Sequence, residues 1–434
     1  MKKDSDIVVV GAGLFGLTTA LELALQGYRN VTVLDRHVPP VPDGSSVDIS
    51  RVIRFDYADD IYLKLAYEAY LEWYQSPKYK GVFFPTPVVM TSNSNPVGKA
   101  YIQKSNDAMD RASLPWESFK SSEAARRTYP TLSGPLASPG FLGYHNKQAG
   151  WADARKAIAG LRDECIIQGV SFVSGRAGTV IGFDRDGASG TIRAARTLAG
   201  TEVAADLFVL AAGAWAGSLV PMYNSTLATG QVLAFIRLSP EEMVKYERLP
   251  IYVNFSTGFF NFPPHQDTSM LKVVVHGWGY ERAPTEAERR LLKSDVSTPP
   301  LAASNGRKNY IPADGERRLR DGLRELLPEL ADRPFEQAAV CWYTDTPTGD
   351  FIMDYHPDYR NLFIAGGGSG HAFKFLPVLG KYTTLALHKD LEPALAQKWR
   401  FRTEYKDVAS AFPGDGSRGG PERRQLLAEE RAKL

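Results

Sequence analysis

The chain has 434 residues, of which 44% are hydrophobic, and this is enough for two domains with a sizeable core. Its 51 basic and 49 acidic residues give a formal net charge of +2, so composition predicts neither nucleic acid nor an anionic membrane as a partner. Residues 1–6 lead into a strand without a long apolar run, and no uncharged segment reaches transmembrane length. We therefore expect a soluble, intracellular protein.

The first predicted unit begins with an apolar strand over residues 6–10 and continues through Gly11, Gly13 and Gly16 into a helix. A second strand then ends at Asp35. Gly11 permits a tight turn, Gly13 lets backbone N–H groups approach a pyrophosphate, and Gly16 allows the helix to pack on the strand. Asp35 is spaced to bind ribose hydroxyls. This pattern predicts a dinucleotide-binding βαβ unit, which by itself does not distinguish NAD from FAD.

Hydrophobic periodicity predicts helices over residues 60–74 and 154–169 and an amphipathic helix containing Leu319, Leu323, Leu326 and Leu330. An apolar, β-prone stretch covers residues 81–90. Short β-prone runs separated by Pro and Gly over residues 230–276 predict a second, largely antiparallel sheet.

Buried strands that end in small residues occur at the start, middle and end of the chain, at Gly11, at Gly213 and at residues 366–370. Ligands of open α/β sheets bind beyond the carboxyl ends of the strands, so the pattern indicates an extended cofactor across one sheet edge. The return of a C-terminal segment to the first sheet is more typical of flavoproteins than of NAD enzymes, which favours FAD.

Other chemistries lack their motifs. Cys165 and Cys341 are far apart and form no CxxC pair, so the sequence predicts no disulfide framework and no metal site. The histidines include no HExxH, and His371 stands where the nucleophile elbow around Ser369 requires glycine. We therefore set metallohydrolase and serine hydrolase activities aside.

Three C-terminal segments together form a recognisable signature. They are Cys341-Trp342-Tyr343-Thr344-Asp345-Thr346-Pro347, Phe351-Ile352-Met353-Asp354-Tyr355-His356-Pro357 and Gly368-Ser369-Gly370-His371-Ala372-Phe373-Lys374-Phe375. In residue types and spacing they resemble the signature of the monomeric sarcosine oxidase family, which includes pipecolate, saccharopine and fructosyl amine oxidases. The resemblance spans nearly the whole chain.

The resemblance implies an α/β fold of the glutathione reductase and D-amino acid oxidase type. A Rossmann-like FAD-binding domain over residues 1–86, 150–222 and 338–400 would interleave with a mainly antiparallel substrate domain over residues 87–149 and 223–337. Residues 401–434 would form a C-terminal tail.

The resemblance also implies the cofactor contacts. Cys341 would carry a thioether to the flavin, a covalent FAD link, although burial tendency alone favours a structural cysteine. Further cofactor contacts are implied at Ser50, Arg51, Val180, Gly213, Gly370 and Lys374.

Lys272 and His276 lie at alternating positions of a predicted strand over residues 270–276, so they share one face with Val274. Without a cofactor nearby, the simplest interpretation is a solvated sheet face. The resemblance instead places Lys272 against the flavin, where its charge would stabilise reduced oxygen, and makes His276 an active-site residue that positions substrate or tunes charge.

Arg51 and Arg54 would share a face if residues 48–54 were helical. By resemblance Arg51 is a catalytic residue near the isoalloxazine, and Arg54 and Lys374 bind the substrate carboxylate. Tyr343 and Phe260 match aromatic walls of the substrate pocket. Phe260 stands where sarcosine oxidases are expected to have tyrosine, which argues against strict sarcosine specificity.

The function implied is a covalent-FAD oxidase of a secondary or N-substituted amine of an amino acid derivative, with O₂ as acceptor and an imine and H₂O₂ as products. Three alternatives stay open: a biosynthetic oxidase whose imine is cyclised, a nicotinamide-dependent dehydrogenase, and a flavin-containing binding or redox-sensing module. Family members are often monomeric, so a monomer is expected.

The C-terminal residues are rich in Gly, Ser and Pro over 413–420, which predicts a flexible linker to a short charged helix beginning near Pro421. The last residues, Ala432-Lys433-Leu434, are close to the peroxisomal address S-K-L. We therefore expect recognition by the peroxisomal import receptor and a peroxisomal location, with the cytoplasm as the alternative.

Overall fold

The computed structural model describes residues 1–301, 309–406 and 412–434. Its strands, in chain order, are β1 (Asp6–Val10), β2 (Asn30–Leu34), β3 (Arg51–Ile53), β4 (Phe83–Pro85), β5 (Val88–Ser92), β6 (Glu117–Phe119), β7 (Leu142–Asn146), β8 (Gly150–Ala152), β9 (Ser171–Val173), β10 (Val180–Arg185), β11 (Ile192–Thr197), β12 (Glu202–Ala204), β13 (Leu207–Leu210), β14 (Leu227–Arg237), β15 (Ile251–Asn254), β16 (Phe259–Asn261), β17 (Met270–Val275), β18 (Tyr280–Glu281), β19 (Gln337–Asp345), β20 (Ile352–Tyr355), β21 (Leu362–Gly366) and β22 (Arg424–Gln425).

The α-helices are α1 (Leu14–Leu25), α2 (Asp60–Gln75), α3 (Pro96–Arg111), α4 (Ser122–Thr128), α5 (Ala154–Ile167), α6 (Ala216–Leu219), α7 (Pro240–Lys245), α8 (Glu286–Leu292), α9 (Ala313–Leu326), α10 (Leu376–His388), α11 (Pro393–Trp399) and α12 (Ala428–Arg431). Short 3₁₀ helices cover Pro77–Tyr79, Gly175–Ala177, Gly213–Trp215, Pro328–Leu330, Phe373–Phe375 and Thr403–Tyr405.

The first sheet brings together strands from the start, middle and end of the chain. In the described residues it has six strands in the order β20-β21-β13-β1-β2-β9, and all pairs are parallel except β20 with β21. Its central strands β1, β13 and β21 are apolar and almost fully buried, as is typical of parallel strands covered on both faces. The predicted return of the middle and C-terminal strands to the first sheet is confirmed.

The second large sheet has ten strands among the described residues, in the order β22-β18-β14-β17-β16-β15-β5-β7-β6, with β19 also paired to β14. Its pairs are antiparallel except β15 with β5 and β18 with β22. The amphipathic helix α9 buries Leu319, Leu323 and Leu326 in the core of this sheet. The α/β fold with a mainly antiparallel second sheet is therefore confirmed.

The domain boundaries stay a prediction. Residues 338–345 lie in a segment assigned to the first domain, but they belong to β19, which pairs along its length with β14 of the second sheet. Two smaller three-stranded sheets, β3-β8-β4 and β10-β11-β12, complete the described strands. Within the described residues, no helix combines the length and apolar character that crossing a bilayer requires.

Two local expectations differ from the structure. Arg51 begins strand β3 rather than lying on a helix, because residues 51–53 pair with β8. The C-terminal segment from residue 412 is packed rather than loose, and its helix, α12, begins at Ala428 rather than near Pro421. Gly419 donates a backbone hydrogen bond to His276 and Gly420 donates one to Ser256, so these glycines fit a closely packed backbone.

Candidate active site

One cavity extends from the glycine-rich turn after β1 to the face of the ten-stranded sheet. The carboxyl ends of β1, β13 and β21 meet at its wall, where Gly11, Gly213 and residues 366–370 line it. The lining includes nearly every predicted site residue: Gly11, Gly13, Asp35, Arg51, Arg54, Val180, Gly213, Phe260, Lys272, His276, Cys341, Tyr343, Gly370 and Lys374. Gly16 and Ser50 are not among its lining residues.

The turn at the start of α1 requires its glycines. Gly11 has φ +111°, and a Cβ there would lie 2.4 Å from the carbonyl oxygen of Ala211. A Cβ on Gly16 would lie 1.8 Å from the carbonyl oxygen of Gly11, so Gly16 serves helix–strand packing, as predicted. Gly13 lines the cavity at the helix N-terminus, where backbone N–H groups and the helix dipole favour an anion. The turn therefore fits a pyrophosphate.

Asp35 stands at the end of β2 and lines the same part of the cavity. Its carboxylate accepts hydrogen bonds from the backbone N–H groups of Ala12, at 2.7 Å, and His37, at 3.1 Å. Burial raises the pKa of Asp35, although these two donors oppose the shift. The position fits the ribose of a dinucleotide, and the contact itself stays a prediction.

A buried cluster of charged side chains, Asp48, Arg51 and Lys272, lies at the end of the cavity that is opposite the glycine-rich turn. Lys272, on β17, lies 2.8 Å from Oδ2 of Asp48 and donates to the carbonyl oxygen of Ser50 at 2.9 Å. Arg51 donates to the same Asp48 oxygen at 2.6 Å. Burial lowers the pKa of Lys272 to about 7, against the attraction of Asp48. Ser50 contributes its backbone carbonyl to this cluster, and its predicted contact with the cofactor stays a prediction.

Cys341 is on β19, opposite Gln231 of β14, and its residue is 5% exposed. It lines the cavity with Arg51 and Lys272, and both cations interact electrostatically with it. The other cysteine, Cys165, is fully buried in the core beneath α1 and is not part of the lining. The two cysteines therefore have different environments, and only Cys341 is within reach of a molecule in the cavity.

Two further cations share the cavity. Lys374 donates from Nζ to Tyr57 Oη and to the carbonyl oxygen of His371, both at 2.9 Å. Burial and the charge of Arg54 hold the pKa of Lys374 well below its usual range. Arg54 donates to the carbonyl oxygen of Asp56. Neither side chain forms an ion pair with a carboxylate of the described residues, and a bound anion would favour the charged form of Lys374. Together the two side chains therefore fit an anionic ligand.

Aromatic side chains and histidines form the walls between these groups. His276 follows β17 directly, with Nδ1 3.3 Å from Tyr343 Oη and Nε2 3.1 Å from Ser417 Oγ. Burial and nearby Arg418 hold the pKa of His276 well below its usual range, so the imidazole is neutral near pH 7. A Cβ on Gly370 would lie 2.4 Å from the Tyr343 ring, which explains glycine at this position.

The sequence prediction missed the C-terminal wall of the cavity. Asp415 and Ser417 line it, and Arg418 forms a buried ion pair with Asp345 at the end of β19. The Gly- and Pro-rich composition of residues 413–420 predicted a linker, because turn-forming residues look the same in a packed loop and a loose one. Tyr57 and His371, whose Oη and Nδ1 atoms are 2.9 Å apart, were also missed.

Comparisons with known proteins show the family to which the chain is related. The DAO family of FAD dependent oxidoreductases matches residues 6–385. L-saccharopine oxidase of Schizosaccharomyces pombe is 31% identical, with 92% of this chain and 94% of that protein covered. Human peroxisomal sarcosine oxidase is 26% identical, with 87% and 90% covered. The crystal structure of the fructosyl amine oxidoreductase amadoriase I from Aspergillus fumigatus superposes with a TM-score of 0.86 at 29% identity, covering 99% and 98% of the two chains.

Proposed function

We propose a substrate for this chain, which belongs to the FAD-dependent oxidoreductases and, within them, to the amine oxidases of the sarcosine oxidase family. The substrate is a secondary or N-substituted amine of an amino acid derivative. The observation that supports the substrate class is the presence of Arg54 and Lys374 on the same cavity as the Lys272 cluster. Overall, the amine loses two electrons and two protons to become an imine, and O₂ gains them to become H₂O₂. Water hydrolyses the imine unless it cyclises.

The cavity fits FAD at both ends. Gly11, Gly13 and the α1 N-terminus would hold the pyrophosphate, and Asp35 would bind the ribose. Val180 and Gly213 would form the cavity wall between these groups. When bound, FAD supplies the two-electron acceptor. The match to an FAD-dependent family leaves the nicotinamide alternative without support.

The substrate carboxylate is assigned to Arg54 and Lys374. A guanidinium offers a planar fork of N–H donors and an ammonium a point charge, so an amino acid carboxylate would be bound and oriented by both. Tyr343 and Phe260 would exclude water from the reacting C–H bond, and His276, being neutral, could accept or donate a hydrogen bond without adding charge. The amine nitrogen must be neutral for the adjacent carbon to lose hydride, because its lone pair forms the C=N bond of the imine. The rate of oxidation should therefore rise with pH through the ionisation of the amine.

We assign to Lys272, with Arg51 beside it, the role of stabilising the negative charge that develops on O₂ during its reduction. When Lys272 is protonated, which a pKa of about 7 allows near neutral pH, its charge and that of Arg51 share one carboxylate, Asp48. The excess positive charge then lies in a buried setting, where it acts strongly on developing anions. Cys341, at the same end, is the residue we propose to carry the covalent thioether to FAD.

The relatives suggest substrates by their names, which include L-saccharopine and fructosyl amines. A peroxisomal location accords with peroxide production and with the naming of the human and mouse peroxisomal relatives. Recognition of Ala432-Lys433-Leu434 by the import receptor stays a prediction. Ala432 and Lys433 are exposed, whereas Leu434 is partly buried against the hydrophobic core of the ten-stranded sheet. A monomeric state is likewise proposed.

The test is anaerobic bleaching of the flavin absorbance by a panel of amines: sarcosine, pipecolate, saccharopine, fructosyl amino acids and N-methylated amino acids. Matched amines without a carboxylate serve as controls. We expect bleaching by at least one carboxylate-bearing amine and at least tenfold weaker apparent affinity for its control, because two cations lose their partner. Bleaching by no amine would overturn the function, and equal affinity for the controls would overturn the roles of Arg54 and Lys374.

A further inference from the structure

Asp415 is an acidic group in a cavity whose other charged side chains are mostly cations. It lines the cavity with Arg54, Lys374 and His276, and it is accessible from the cavity although protein surrounds it. Its Oδ1 accepts hydrogen bonds from the backbone N–H of Ser417 at 3.0 Å and from the Ser417 hydroxyl at 2.5 Å. In the part of the chain that is described, Oδ2 has no hydrogen-bond or ion-pair partner.

The backbone around Asp415 is fixed at several points. Gly414 donates to the carbonyl oxygen of Pro347 at 3.0 Å, and Gly420 donates to that of Ser256 at 3.0 Å. Arg418 is tied by its buried ion pair to Asp345 and donates to the carbonyl oxygen of Gly277 at 2.8 Å. The carboxylate is therefore held in place before any ligand arrives, as a binding group must be.

The carboxylate is ionised at neutral pH. Burial opposes its ionisation, but the charge of His371 and the hydrogen bonds from Ser417 keep the pKa of Asp415 below its ordinary value. Its charge also acts on Lys374, His276 and Tyr57, so it lies within electrostatic reach of the proposed carboxylate site.

We infer that Asp415 binds a cationic ammonium group of the substrate that is separate from the reacting amine, while Arg54 and Lys374 bind a carboxylate. The substrate class is then a zwitterionic amino acid with a secondary amine elsewhere in its side chain. This inference rests on the proposed function and narrows it.

Two arguments favour a separate ammonium. A substrate that covers Asp415 removes water from an ionised carboxylate, and a hydroxyl would compensate that cost less well than a cation. A carboxylate paired with the reacting amine would raise the pKa of that amine and reduce its neutral fraction tenfold per unit, which opposes hydride loss. A second ammonium satisfies Asp415 without this penalty.

The kinetic test compares N6-methyl-L-lysine with 6-(methylamino)hexanoate, which differ only in the α-ammonium, by anaerobic flavin reduction in the holoenzyme. We expect the wild type to prefer the ammonium-bearing compound by about tenfold or more in specificity, since one charged hydrogen bond has about that effect. The ratio of the specificities for the two compounds should fall towards one in Asp415→Asn. It should be partly kept in Asp415→Glu and fully kept in Asp332→Asn, which removes the same charge from an exposed site.

A binding test does not depend on oxidation of a secondary amine. The flavin spectrum of the holoenzyme is titrated with L-norleucine and with hexanoate, which again differ in the ammonium alone. Tighter binding of norleucine that disappears in Asp415→Asn would support the inference. Equal dissociation constants in the wild type, or an unchanged ratio in Asp415→Asn, would overturn it, while bleaching by any carboxylate-bearing amine would leave the proposed function standing.

Discussion

Lys272 and Asp48 form a buried ion pair in which Nζ lies 2.8 Å from Oδ2 and both side chains are 2% exposed. The same Asp48 oxygen accepts a hydrogen bond from Arg51 at 2.6 Å, so one carboxylate faces two cations whenever Lys272, with its pKa of about 7, is protonated. A buried pair in which one cation is left over gains little stability from its charges and is suited to a site where negative charge appears during the reaction.

Replacing Lys272 with Met should therefore slow the reaction with oxygen far more than the reaction with substrate. Removing a preorganised charge of this kind typically costs about 10²–10³-fold in rate, and we expect the return of oxidised flavin absorbance on mixing with O₂ to slow by about that factor. Anaerobic reduction by substrate should change by less than about fivefold, because Lys272 is not assigned to the substrate. Stopped-flow absorbance measures both half-reactions.

Lys245→Met is the matched control, because Lys245 is exposed and pairs with Glu329 on the surface. It should leave both half-reactions at wild-type rates. Equal slowing of both half-reactions in Lys272→Met would remove the proposed role in oxygen reduction.

The two cysteines give a matched pair of variants for the covalent link. Cys341 lines the cavity, whereas Cys165 is buried in the core and its thiol donates to the carbonyl oxygen of Leu17. After acid precipitation, the wild type and Cys165→Ser should keep yellow flavin in the pellet, and Cys341→Ser should release it to the supernatant. The measurement is flavin absorbance in the two fractions. Release from all three proteins would show that FAD is not covalently bound.

The βαβ unit of the first sheet could be predicted because its signals are local, whereas most residues at the other end of the cavity were predicted only through the resemblance of their motifs to the sarcosine oxidase family. Strand β1, the glycines after it and Asp35 follow one another in the sequence, and the alternation of Lys272 and His276 sets their common face whatever the rest of the fold does. The cluster around Asp48 could not be predicted in this way, because Asp48 and Lys272 are far apart in the sequence and meet only where the loop before β3 packs against β17 of another sheet. Asp415 was missed for a related reason, since only the contacts of residues 414–420 with β19 and the loop after β15 distinguish this loop from a linker.

His371 should make the enzyme less stable as the pH falls. Burial and the charge of Lys374 lower its pKa to about 4, whereas the imidazole of an unfolded chain has a pKa of about 6.5. Between these values the unfolded state binds a proton that the native state does not, so the free energy of unfolding decreases by up to about 1.4 kcal/mol per pH unit.

The contribution of His371 is isolated by urea unfolding of the wild type and His371→Gln between pH 7 and pH 4.5. The free energy of unfolding should fall more steeply for the wild type, by about 1 kcal/mol per pH unit, since His276 and the other groups are common to both proteins. Parallel curves would show that the imidazole of His371 titrates alike in the native and unfolded states.

Arg418→Met should destabilise the fold, because it leaves Asp345 buried without its cation. The side chains of Arg418 and Asp345 are 5% and 7% exposed, and the guanidinium also donates to the carbonyl oxygens of Gly277 and Ser369. Removing one partner of a buried pair typically costs about 3–5 kcal/mol. Urea unfolding should show a loss of this size. The variant should also bind substrate more weakly, because Arg418 holds the loop that presents Asp415 and Ser417 to the cavity.

The size of the loss in free energy of unfolding distinguishes two causes, an uncompensated buried charge and a lost packing contact. Arg290→Met breaks the exposed pair with Glu286, whose side chains are 78% and 67% exposed, and should cost less than about 1 kcal/mol. The double variant Arg418→Met/Asp345→Asn removes the uncompensated charge and should recover more than half of the single variant's loss, because the remaining amide can still accept from Thr229. If the double variant is no more stable than Arg418→Met, the loss comes from the packing of residues 414–420 and not from the buried carboxylate.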